Sequence, residues 1–252
     1  MKIFYIFLVF AYLTVCESAP ATQQRVETDP ELTAGYFEGD IVLDNNRNGI
    51  ITKTRHWPNG IVYYKFGDII DEPHRNHILR GIEMLEQVSC IRFKEADENQ
   101  SYYVNITTQG GGCFSTVGWY NQVQTYNLQI YPLDEGCFRL GTIMHEFLHT
   151  LGFYHQQSTW NRDEYVRIAE ENIQPNTIHN FNKYDSDFVD NYDEEYDYAS
   201  ILHYSAYAFS ANGEMTIIPL NEADAASMGQ RRALTRSDIN KLNVMYRCPI
   251  KP

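Results

Sequence analysis

Residues 145–155 read His145-Glu146-Phe147-Leu148-His149-Thr150-Leu151-Gly152-Phe153-Tyr154-His155. On an α-helix, His145 and His149 are four apart and project from one face, so both imidazoles can reach a single ion. Gly152 can take the positive φ that ends a helix and reverses the chain, which brings His155 to the same point. Three neutral nitrogens leave one position of a tetrahedral zinc site open to water, as in catalytic rather than structural zinc sites. Zinc lowers the pKa of such a water to about 7. Glu146, beside His145, is placed to take the proton of that water rather than to bind metal. In a chain of this composition the pattern H-E-x-x-H-x-x-G-x-x-H arises by chance roughly once in thirty thousand sequences. His56, His74, His77 and His179 stand outside the cluster and read as structural.

Upstream of this string, Trp57-Pro58-Asn59-Gly60 is a turn signal. Residues 61–66 (IVYYKF), rich in β-branched and aromatic side chains, predict a strand. Pro73 suits the first turn of a helix on which Ile78, Leu79, Ile82, Leu85 and Val88 recur at helical spacing. Residues 102–107 and 126–131 predict further strands. Gly110-Gly111-Gly112 lacks the Lys-Ser/Thr of a phosphate loop and reads as a turn. A helix is expected over residues 139–151 with Gly152 as its stop. The second half is irregular, and its acidic, aromatic run at 185–198 lacks the glycine and spacing of a calcium-binding EF-hand loop. A last helix starts at Thr235, which with Asp238 forms a capping box; Ile239, Leu242 and Met245 line its buried face. There is no internal repeat.

The 252 residues suffice for one large domain or two small ones. With 20 basic against 33 acidic side chains and a net charge of −13, the chain has no basic surplus with which to meet phosphate, which argues against a nucleic-acid binder. Residues 3–16 form an uncharged, mostly apolar run after Lys2, too short to span a bilayer and of the length of a secretory signal core. We therefore expect a signal peptide at 1–18 and a soluble, secreted chain without membrane association. A cut after Ala19 is disfavoured, because Pro20 would follow it. Of five cysteines, Cys16 lies in the signal, leaving Cys90, Cys113, Cys137 and Cys248 for two disulfides, with three pairings open. Asn99 and Asn105 begin glycosylation sequons. Residues 20–47 are polar and acidic, as in a pro-segment or extended arm.

The zinc string is a metzincin signature. With residues 153–158 (FYHQQS), 162–166 (RDEYV), 196–204 (YDYASILHY) and 238–242 (DINKL), the chain resembles the astacin-type zinc metalloendopeptidases across residues 48–252. The resemblance implies a two-lobed α+β metzincin-like catalytic domain at 48–252, with a twisted N-lobe sheet, an active-site helix and an irregular C-lobe. It implies one zinc ion held by His145, His149 and His155, with Glu146 as general base and acid. Tyr204 would ligate zinc at rest and swing aside to stabilise the transition state, a role its phenol can fill by donating to developing negative charge. It further implies disulfides Cys90–Cys248 and Cys113–Cys137. Phe37-Glu38-Gly39-Asp40 resembles the family's F-x-G-D latency motif, in which Asp40 takes the open zinc position within a 19–47 pro-segment. An activating protease would then cut after Arg47 and expose Asn48. The expected partners are protein or peptide substrates and that protease, and the chain is expected to be a monomer.

The sequence departs from the family pattern at three positions. Leu202 stands where a methionine normally packs beneath the metal, a nearly volume-conserving exchange costing under about 1.5 kcal/mol. Gln156 replaces an acidic residue that engages the new N-terminal amine, and it cannot form that ion pair. Ala206 stands where some members carry an arginine that favours acidic substrate residues, so that preference is not carried over. Leu202 and Gln156 are also the features that would suit the alternative, a secreted binding protein of the same fold with impaired catalysis.

Overall fold

Alternation along residues 61–66 buries Val62 and Tyr64 on one face and makes this segment the strand around which the N-terminal lobe is laid. The computed structural model describes residues 29–43, 56–67 and 70–249. The expected signal peptide and the Arg47–Asn48 cut lie outside the described residues.

A six-stranded sheet is built from β1 (Ile41–Val42), β2 (Ile61–Phe66), β3 (Arg92–Glu95), β4 (Tyr103–Thr107), β5 (Cys113–Thr116) and β6 (Val123–Leu128), in the spatial order β1-β5-β6-β4-β2-β3. Only the β5–β6 pair is antiparallel. Helix α1 (Glu72–Val88) has Pro73 in its first turn, and the Asp71 side chain accepts from the His74 N–H as its cap. Helix α2 (Leu140–Leu151) packs against both α1 and β5. Ile78, Ile82 and Leu85 of α1, Ile143, Phe147 and Leu148 of α2, and Val62, Val104, Ile106, Tyr126 and Leu128 of the sheet form the main apolar core.

One strand boundary is displaced from the sequence reading, and strands β1, β3 and β5 were not read from the sequence. The strand expected at 126–131 is β6, displaced toward the N-terminus, because Tyr126 to Leu128 pair with β5 before the chain leaves the sheet. Strands β3 and β5 are short and were not distinguishable from loop. β1 lies within the polar stretch 20–47 and owes its conformation to pairing with the sheet edge rather than to its own pattern.

The C-terminal lobe contains one two-stranded ladder among the described residues, β7 (Val166–Ile168) with β8 (Ile217–Pro219), amid short 3-10 turns. Its core gathers Val166, Phe181, Tyr196, Tyr204, Phe209 and Ile217. Helix α3 (Arg236–Met245) returns the chain to the N-terminal lobe, where Cys90 is bonded to Cys248; Cys113 is bonded to Cys137. The capping box is present: Thr235 Oγ1 accepts from the Asp238 N–H at 3.0 Å, and Asp238 Oδ2 accepts from the Thr235 N–H at 2.9 Å. Thr235→Ala is expected to lower stability by about 1 kcal/mol, read as a lower denaturant midpoint at unchanged m-value. No helix among the described residues is long and apolar enough to cross a membrane.

Candidate metal centre and the segment that carries Asp40

Helix α2 is buried along almost its whole length, so its polar residues must find partners inside the protein. His145 and His149 lie four apart on it, and Gly152 ends it in the left-handed region at φ 117°, its N–H bonded to Leu148 O and His149 O. A side chain is strained at such a φ, so Gly152→Ala is expected to cost about 1–3 kcal/mol and to lower zinc content, checked by thermal unfolding and metal analysis. The reversal at Gly152 places the His155 ring 4.7 Å from that of His149 and 5.3 Å from that of His145.

Each imidazole is oriented from behind. His145 Nδ1 donates to Ile201 O at 2.7 Å and His149 Nδ1 to Phe153 O at 2.7 Å, while His155 Nδ1 lies 2.8 Å from Glu38 Oε2. Carbonyl and carboxylate oxygens accept the Nδ1 proton, which turns the lone pair of each Nε2 toward a common centre. The capping residue of α3 contributes here too, since Asp238 accepts from Ser200 Oγ at 2.6 Å and from the Ile201 N–H at 3.0 Å. This fixes the segment whose carbonyl holds His145.

Asp40 reaches the same centre. Its Oδ2 lies 3.1 Å from His145 Nε2 and 3.3 Å from His155 Nε2, its Oδ1 is 3.7 Å from His149 Nε2, and the Nε2 atoms of His145 and His149 are 3.0 Å apart. Ligand atoms about 2.0–2.1 Å from a tetrahedral zinc ion are separated by about 3.3–3.4 Å. The four side chains therefore have both the chemistry and the spacing of a zinc site made of three imidazoles and a carboxylate, and all four are buried. His155 Nε2 and Asp40 Oδ1 lack any hydrogen-bond partner, as suits atoms whose partner is a metal.

Glu146 is fully buried beside this group, and neither carboxylate oxygen is hydrogen-bonded. Burial, reinforced by the carboxylates of Asp40 and Glu31, holds its carboxyl well above the usual range. Tyr204 is not in the four-residue group: its hydroxyl donates to the Glu38 carbonyl, and its ring lies 4.6 Å from that of His155. Burial, then the charges of Glu38 and Asp40, push the Tyr204 phenol well above its ordinary value, so it remains a donor.

The segment carrying Asp40 is held at several points. β1 adds a parallel strand to β5, with the Ser115 N–H on Asp40 O at 2.9 Å. Arg231 Nε donates to both oxygens of Glu31 at 2.8 and 2.9 Å in a buried pair. Burial opposes charge on Glu31, but Arg231 prevails and draws its pKa down to about 2. Gly112 gives this segment room, since a Cβ there would stand 2.6 Å from Pro30 O. Ser158 Oγ and the Tyr184 hydroxyl donate to Glu38 Oε1 at 2.9 and 2.8 Å, and sequence reading gave no role to either of them, to Glu31 or to Arg231. Glu31 and Arg231 are 200 residues apart, and no local pattern links them.

The other singled-out positions are placed as follows. Leu202 is buried in the main core, and its carbonyl accepts from the Gln156 N–H at 3.1 Å. Gln156 Oε1 accepts from Lys241 Nζ at 2.7 Å. Ala206 is buried, with its carbonyl bonded to Thr216 and Ile217 N–H. Asn99 is exposed in a turn, whereas Asn105 lies half-buried in β4.

A family model described as Astacin, a family of peptidases, matches residues 49–247. Seminal metalloprotease 1 of Drosophila melanogaster is 46% identical over 236 residues, covering 91% of this chain and 94% of that one. Meprin A subunit beta of Homo sapiens is 39% identical over 228 residues, covering 90% of this chain but 32% of that longer one. Among solved structures, high choriolytic enzyme 1, a hatching enzyme zinc-protease from Oryzias latipes, superposes with a TM-score of 0.69 at 32% identity. That match covers 78% of this chain and 95% of that one.

Proposed function

The chain belongs to the astacin family of zinc metalloproteases, and on that footing we propose that it is a secreted endopeptidase made as a latent zymogen. The observation that carries the reading is the Asp40 carboxylate seated among His145, His149 and His155. In this reading the three histidines hold zinc, Asp40 takes the fourth position in the latent form, and a cut after Arg47 releases it. The disulfides and the similarity to a seminal metalloprotease support secretion. Asn99, exposed in a turn, is the better placed of the two sequons to carry sugar.

Bound zinc supplies a Lewis acid that polarises the scissile carbonyl and acidifies the attacking water. Glu146 takes the proton of that water and passes it to the leaving nitrogen, so the peptide bond is replaced by a carboxyl and an amine. Its buried, otherwise unbonded carboxylate has no competing partner for that proton. Tyr204, released from Glu38 O, donates a hydrogen bond from its hydroxyl to the oxygen on which negative charge develops, and keeps its proton. An extended substrate gains main-chain hydrogen bonds from the β5 edge that β1 occupies in the latent chain.

The test compares the intact chain with the chain cut after Arg47 on an unfolded protein substrate. Cleavage by the cut chain alone, with Asn48 found at its N-terminus, is the expected result; equal activity of both forms would remove the zymogen reading.

A further inference from the structure

The stretch 196–204 turns back on itself, with the His203 N–H on Ser200 O at 3.0 Å, and brings two of its tyrosines to one histidine. The Tyr196 hydroxyl lies 2.7 Å from His203 Nε2, and His203 Nδ1 lies 2.7 Å from the carbonyl oxygen of Tyr204. A carbonyl can only accept, so the ring proton sits on Nδ1 and is donated to Tyr204 O. That leaves Nε2 to accept from the Tyr196 hydroxyl. On the other side of the same residue, the Tyr204 N–H donates to Gln157 Oε1 at 3.0 Å. Tyr196, His203 and Gln157 are 6%, 0% and 0% exposed, so bulk water does not compete for these bonds. Among the described residues the Tyr196 hydroxyl has no other partner, and its ring is held separately, stacked on that of Tyr165 at 4.8 Å.

We propose that Tyr196 and His203 are positioning residues for Tyr204, fixing the backbone on which its phenol turns from Glu38 O in the latent chain to the reacting oxygen in the cut one. The proposal rests on the reading of Tyr204 as donor to the developing negative charge. Neither residue is among the four side chains that converge on the metal position, so both act through Tyr204 alone.

A phenol that changes partners turns about its side-chain bonds on a fixed Cα, and any drift of that Cα is carried to the hydroxyl at the far end of the ring. A misplacement of about 1 Å at a reacting centre costs about a hundredfold in rate. Without the Tyr196 hydroxyl, Nε2 loses its donor and the ring proton is free to move there. The lone pair of Nδ1 would then face Tyr204 O, and the two acceptors repel. Because the Tyr204 bond strengthens only as charge develops, its misplacement lowers kcat and leaves KM unchanged.

The experiment uses the zinc-loaded chain cut after Arg47 and a quenched fluorescent peptide that the parent cleaves. Tyr196→Phe, which keeps the stacked ring, is expected to lower kcat about 10- to 100-fold, with KM held within about twofold and zinc content at one per chain. In a chain that already carries Tyr204→Phe, it is expected to cause no further loss, because no hydroxyl remains to be misplaced. His203→Asn, whose amide N–H stands near the place of Nδ1, is expected to retain more activity than His203→Gln, whose longer amide reaches toward Tyr196. Unchanged kcat in Tyr196→Phe overturns the proposal. So does an equal loss in both backgrounds, which is the mark of a purely structural contribution. Parent-like kcat in Tyr204→Phe overturns the donor reading of Tyr204 and the proposal with it, and leaves the roles of zinc and Glu146 standing.

Discussion

Glu146→Gln is expected to lower kcat of the cut chain by about 10²–10⁴-fold while leaving one zinc ion per chain and the unfolding temperature nearly unchanged. The exchange is almost isosteric, which matters at a fully buried position. Glu146 is not among the four side chains that converge on the metal position, so zinc content should hold. What is lost is the ability to accept a proton, since an amide oxygen is a far weaker base than a carboxylate. Steady-state hydrolysis of an unfolded protein, with metal analysis of the same sample, checks both halves. A variant retaining activity within tenfold of the parent would assign the base to another residue.

Asp40→Ala is expected to make the uncut chain hydrolyse protein. The measurement requires Arg47→Ala in both chains, so that no cut confuses the result. Removing the carboxylate frees the fourth position between His145, His149 and His155, at which Asp40 stands 3.1–3.7 Å from the ring nitrogens. The segment itself stays partly docked through Glu31 with Arg231, Glu38 with Ser158 and Tyr184, and β1 on β5. Activity should therefore rise well above that of the intact parent yet remain below that of the cut enzyme. Equal latency in the variant and the parent would show that occlusion by the backbone, not the carboxylate, silences the site.

Much of the centre was legible in the sequence because its parts are local. His145 and His149 share a helix face, Gly152 marks the reversal, and His155 follows three positions later, so periodicity and one turn rule suffice. The capping box of α3 was readable for the same reason, its two members lying three residues apart. Asp40 came from a four-residue motif, and its place beside a helix more than a hundred positions later could be inferred only through family resemblance. The side chains that hold the segment carrying Asp40 were given no such role by the sequence reading. Arg231, Ser158 and Tyr184 belong to an irregular lobe whose turns carry no period, and each meets the segment only through tertiary packing. The short strands β3 and β5 were missed on similar grounds, since four residues give too few alternations to separate strand from loop.

Leu202 and Gln156 mark where resemblance and chemistry pull apart. Leu202 is buried in the apolar main core, an environment that a nearly volume-conserving exchange from methionine keeps. Gln156 Oε1 accepts from the buried Lys241 ammonium at 2.7 Å. The second-nitrogen bonds that orient the three imidazoles run to Ile201, Phe153 and Glu38, so both departures leave the proposed base and ligands intact.

The most direct test is hydrolysis of an unfolded protein by the chain cut after Arg47, measured with a zinc chelator, without it, and after zinc is restored. The account predicts cleavage that the chelator abolishes and added zinc recovers. Cleavage indifferent to the chelator, or none at all from a folded chain carrying one zinc ion, would contradict it; the second result would instead favour a zinc-bearing protein that binds without cutting.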